Sequence, residues 1–72
     1  MKKSFVIEDL ECAHCAAKIE KEIKEIKGVN SASVNFLAQK IIIEADDQLF
    51  NEIENSVVEI CKRIEPDCKI IL

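Results

Sequence analysis

This sequence has one glycine, one proline, no tryptophan and no tyrosine. So few backbone breakers leave little room for loops, and most of the chain must lie in helices or strands. Long apolar runs are also missing. None approaches the roughly 20 residues that span a bilayer, and "MKKSFVIEDL" at the start is too short and too acidic for a secretory signal. The expected compartment is the cytoplasm. No basic patch or aromatic stacking surface occurs, and the formal net charge is −4. That balance argues against nucleic acid as the main partner and suits attraction to cations or to a basic protein surface. With 72 residues there is material for one core only, so residues 1–72 read as a single, monomeric domain, either free-standing or cut from a longer protein.

What is present is strongly patterned. "KSFVIE" alternates as a strand, with Phe5 and Ile7 on one face and Ser4, Val6 and Glu8 on the other. From Ala13 to about Lys27 the period becomes helical: Ala16, Ile19, Ile23 and Ile26 recur at three and four, and charged residues fill the rest as a solvated stripe with i, i+4 pairs. Gly28 supplies the stop. "VNSASVNF" alternates again, "LAQ" turns, and "KIIIEA" returns as the second arm of a hairpin. Asp46 or Asp47 can cap a second helix, whose apolar face carries Phe50, Ile53, Val57, Ile60, Cys61 and Ile64. Pro66 ends it, and "CKIIL" is a last strand with Cys68, Ile70 and Leu72 on one side. The order is β-α-β-β-α-β. Two amphipathic helices folded onto one face of a four-stranded antiparallel sheet give an α+β, ferredoxin-like two-layer sandwich.

Four cysteines in so short a chain would suggest disulfides in a secreted protein, but a reducing compartment favours free thiols or metal ligands. Cys12 and Cys15 form a C-x-x-C where the first loop becomes the first helix. Free amides and the positive end of the helix dipole favour thiolate there, and a pre-formed low-pKa dithiol suits a soft or borderline metal. Three other readings compete. The pair can simply pack at a helix start, although Asp9, Glu11 and His14 make a poor setting for buried groups. It can be a thioredoxin-like thiol-disulfide oxidoreductase pair, against which stand the absent tryptophan and the short chain. It can join Cys61 and Cys68 in a structural four-cysteine zinc site, although Cys61 and Cys68 both fall in apolar patterns as small core residues.

The stretch "LECAHCAAKIEKEIKEIKGVNSASVNFLAQKIIIE", with Gly28-Val29, the "VNF" at Val34 to Phe36 and "RIEPD" at Arg63 to Asp67, resembles the heavy-metal-associated domain family over essentially the whole chain. That family's signature has the form G-M-x-C-x-x-C-A. Here Asp9 stands for the glycine and Leu10 for the methionine under the metal loop. The resemblance implies Cys12 and Cys15 as metal ligands. It also implies a role in a soluble chaperone or in a metal-transporting P-type ATPase, without catalysis by the domain itself. The expected partners are the transmembrane or other cytosolic domains of such an ATPase, or another metal-binding domain.

In copper-handling members the residue before the first cysteine is commonly Thr, Ser or His, and in zinc-, cadmium- and lead-exporting ATPases it is often an aspartate that adds a third ligand. Glu11 is the counterpart here, longer by one methylene. Cu(I) is satisfied by two thiolates, whereas a divalent ion seeks more donors and more negative charge. The expectation is therefore Zn(II), Cd(II) or Pb(II) on Cys12 and Cys15 with Glu11 as third ligand, and Cu(I) as the alternative. His14, Asp67 and Cys68 are expected at its margin.

Overall fold

The computed structural model describes residues 1–71. The elements are β1 (Lys2–Glu8), α1 (Ala13–Lys24), β2 (Val29–Asn35), β3 (Lys40–Ala45), α2 (Phe50–Ile64) and β4 (Lys69–Ile71), with a single 3-10 turn at Asp47–Leu49 leading into α2. The sheet is antiparallel in the order β2-β3-β1-β4. Its alternation follows the sequence: Ile7, Ala32, Ile41, Ile43 and Ala45 are buried under the helices, while Val6 and Ile71, paired across β1 and β4, stay exposed on the open face. The α+β, ferredoxin-like sandwich is thus the observed fold.

The helices contribute Ile19 and Ile23 from α1, and Phe50, Ile53, Val57, Ile60 and Cys61 from α2. Ile7, Ile19, Ile23, Ile41 and Ile43 are completely inaccessible, and each contributes roughly 1.5–3 kcal/mol by leaving water. No buried side-chain nitrogen or oxygen among the described residues lacks a partner. The described core is built of apolar side chains and cysteines alone. Across its surface Arg63 of α2 pairs with Glu22 of α1, and Glu20 pairs with Lys24 at 3.3 Å as an i, i+4 ion pair. Glu20 also accepts the Val34 N–H at 2.9 Å, which satisfies a donor on the edge strand β2.

Four element boundaries differ from the sequence expectation. Helix α1 ends at Lys24 rather than Lys27, because its last turn tightens: Glu25 and Ile26 bond three residues back, to Glu22 and Ile23, both at 3.1 Å. Gly28 then turns the chain at φ +99, which favours glycine; a Cβ there would lie 2.6 Å from Leu49 Cδ1, the movable end of a flexible side chain, so it is the backbone that asks for glycine. Strand β2 stops before Phe36, where the Asn35 side chain accepts the Ala38 N–H at 2.9 Å and starts the turn. Neither Asp46 nor Asp47 caps α2 with its side chain; the Asp46 carbonyl accepts Leu49 N–H at 3.0 Å and opens the 3-10 turn instead. Finally β4 is Lys69–Ile71, with Cys68 buried just ahead of it and Ile70 half-buried; the placement expected of Leu72 lies outside the described residues.

Candidate metal centre

Between β1 and α1 the chain reverses at Asp9, whose φ of +62 is the left-handed region. An aspartate tolerates that conformation better than most residues and a glycine better still, which accounts for a glycine at this position in the motif. Leu10 is 2% exposed and pins the loop to the core in the place of the methionine. Cys12 is the residue that caps α1. Its backbone is extended, at φ −121 and ψ 112, and its Sγ accepts the Cys15 N–H at 3.1 Å, the task a serine or aspartate performs at most helix starts. Cys12 and Cys15 are both half-buried, so the two sulfurs are held close together at the solvent boundary.

Their protonation is unequal. Cys12 titrates below the ordinary thiol range because the Cys15 thiol donates to it, and the backbone N–H groups of Cys15 and His14 add to that. Cys15 is pushed up to about 11, first by its hydrogen bond to Cys12, then by burial and by the negative charges of Cys12 and Glu65. The two thiols are therefore shifted in opposite directions, Cys12 down and Cys15 up, where the helix start alone would lower both. The cause is mutual, since one sulfur can be anionic cheaply at the helix start but the second would then face it.

Glu65 is the residue the sequence reading missed. It caps the C-terminus of α2, its N–H donating to the Cys61 carbonyl at 2.8 Å, and its carboxylate acts on both Cys12 and Cys15. A signal existed: an acidic side chain at a helix C-terminus opposes the macrodipole and needs another reason to be there.

The other candidates are dispersed. Glu11 and His14 are exposed beside the cysteines. Asp67 lies with Cys68 and Glu8 along a cavity of about 490 Å³ on the α2–β4 side. Cys68 directs its Sγ at the Cys61 carbonyl, 3.9 Å away, and burial pushes the Cys61 thiol up to about 12 and raises that of Cys68. Among the described residues no three Cys, His, Asp or Glu side chains already stand in a metal-binding cluster. Among the described residues no helix is long and apolar enough to cross a membrane.

A ferredoxin-like sandwich with a C-x-x-C at its first loop defines a class, that of small metal-handling domains. Residues 4–65 match the heavy-metal-associated domain family, and the chain belongs to it. It is 38% identical over 66 residues to the cadmium, zinc and cobalt-transporting ATPase of Bacillus subtilis, covering 92% of this chain and 9% of that protein. It is 40% identical over 57 residues to the probable copper-importing P-type ATPase A of Enterococcus hirae, covering 74% of this chain and 8% of that protein. The chain thus spans less than a tenth of either transporter. Among solved structures it resembles the N-terminal domain of a potential copper-translocating P-type ATPase from Bacillus subtilis in the Cu(I)-loaded state. The TM-score is 0.75 at 30% identity, covering 99% of this chain and 84% of that one.

Proposed function

We propose that this domain binds one Zn(II), Cd(II) or Pb(II) ion on Cys12 and Cys15 and passes it on by ligand exchange, as the metal-binding domain of a heavy-metal P-type ATPase. The observation that carries this is the half-exposed cysteine pair at the start of α1, with the Cys12 Sγ accepting the Cys15 N–H at 3.1 Å. Two sulfurs joined by a carboxylate, that of Glu65 or Glu11, would make a donor set that suits a divalent borderline ion better than Cu(I). Glu11 is the second oxygen donor, from the exposed side of the loop. The ion is cargo rather than a resident cofactor: the core is complete without it, and an open, under-coordinated site lets an incoming thiolate add before a resident one leaves. The similarity to a cadmium, zinc and cobalt transporter supports the same choice.

A Cu(I) reading is kept for one reason, the likeness to copper-transporting relatives. Anaerobic titration followed by native mass spectrometry gives the stoichiometry, expected to be one divalent ion per reduced chain. Competition with a chromophoric chelator then separates the metals. Glu65→Gln or Glu11→Thr is expected to weaken Zn(II) and Cd(II) binding about tenfold to hundredfold, the scale of one charged ligand, and to change Cu(I) binding far less. Equal, small changes for all the metals in both variants put the copper reading first.

A further inference from the structure

The bonds that hold the cysteine loop come from the other end of the sequence's first half. Gln39, in the β2–β3 turn, has a left-handed backbone with φ +55. Its carboxamide brackets Leu10: Oε1 accepts the Leu10 N–H at 3.1 Å, and Nε2 donates to the Leu10 carbonyl at 2.7 Å and to the Phe36 carbonyl at 2.8 Å. Its backbone carbonyl accepts the Ile7 N–H at 3.0 Å. One residue therefore ties the end of β1, the loop and the hairpin turn together, 29 positions away from Leu10 in sequence.

The chemistry is specific. A carboxamide offers a donor and an acceptor on one planar group, and so satisfies both backbone groups of a single residue. A carboxylate has acceptors only and would oppose the Leu10 carbonyl. Without the bracket both Leu10 groups, part-buried, lose their partners. Leu10 lies two residues before Cys12, and between them the chain makes no helix or strand. The left-handed φ of Gln39 belongs to the β2–β3 turn and aims its carboxamide, with both N–H donors used, at the Leu10 loop.

We infer that Gln39 is a positioning residue for metal capture, which holds Asp9–Glu11 in the shape that presents Cys12 before any ion arrives. This inference rests on Cys12 and Cys15 being the metal site. Holding the loop removes an ordering cost that binding must otherwise meet.

Two variants test it. Gln39→Gly keeps the turn's conformation and removes the amide; Gln39→Glu keeps the shape and removes the donor. Cd(II) affinity is measured by chelator competition on reduced protein, and amide exchange is followed at Leu10 and at the core residues Ile41 and Ile43. In Gln39→Gly Leu10 is expected to exchange faster, because the acceptor of its N–H is gone, while Ile41 and Ile43 keep their protection, and in both variants Cd(II) affinity is expected to fall about tenfold. Affinity within twofold of wild type in both variants overturns the inference, and so does an unchanged exchange rate at Leu10 in Gln39→Gly. Loss of protection at Ile41 and Ile43 in both variants also overturns it, because the residue then holds the fold rather than the loop. A wild type that takes up no Cd(II) brings down the metal-binding reading and this inference together; a wild type that binds beside unaltered variants brings down this inference alone.

Discussion

Two cysteine pairs sit at opposite ends of helices, and their chemistry follows the ends. Cys12 caps the N-terminus of α1, where amide donors point at its sulfur and the dipole is positive. Cys61 is in the last turn of α2, where the dipole is negative, and it is 2% exposed. In the first pair hydrogen bonds hold Cys12 below the ordinary thiol range; in the second, burial raises both thiols and the Cys68 Sγ faces the Cys61 carbonyl. A thiol is thus made reactive or inert by the backbone around it, with no change of residue type.

Removing the first pair gives the largest expected effect. Cys12→Ser with Cys15→Ser is expected to abolish stoichiometric metal uptake while far-UV circular dichroism and the unfolding transition persist, because neither is among the fully buried core residues, serine nearly matches cysteine in shape, and a serine can still cap α1 at position 12. A wild-type apo protein that is unfolded would instead make the site structural. Alkylation sharpens the contrast next. Iodoacetamide at neutral pH, followed by peptide mapping, is expected to modify Cys12 at least about a hundredfold faster than Cys61 or Cys68, because a half-exposed thiol held below its ordinary range reacts readily and a buried, raised thiol waits for an opening. Comparable rates at Cys61 would break the distinction.

Smaller effects concern the second pair. Cys61→Ala is expected to cost on the order of 1 kcal/mol in chemical denaturation, as for loss of a small buried group, and to leave metal affinity unchanged. A large loss of affinity would favour the four-cysteine zinc site. The pH dependence has a definite sign. The Cys61 thiol is raised from 9.0 to about 12 in the folded chain, so the unfolded chain releases this proton first. Its contribution to stability is complete below pH 9 and is lost between 9 and about 12. Denaturant midpoints across that range are expected to fall with pH, and less steeply in Cys61→Ala.

The order of elements and most of the core were legible in the sequence because alternation in "KIIIEA" and helical spacing in "FNEIENSVVEI" report burial directly. Helix ends were less legible. The three-residue shortening of α1 depends on where Ile26 packs and on Gly28 meeting Leu49, which are tertiary facts. At the candidate centre, Cys12 and Cys15 were visible as a spacing. Glu65 carried only the indirect signal of an acid at a helix C-terminus, and its approach to the cysteines depends on how α2 lies beside α1. Gln39 read only as part of a turn, since nothing local distinguishes a glutamine that reaches solvent from one that reaches Leu10.

The sheet order has a mechanical consequence. Strand β1 runs toward the thiol loop, and β4 starts beside Glu8 and runs back, with Ile71 opposite Val6. The chain thus enters the fold from the far end and its last described strand heads toward that same end. Pulling on the first and last described residues would therefore load β1 and β4 from the end opposite the cysteine loop, parting their shared ladder from the Val6–Ile71 pair rather than opening the loop.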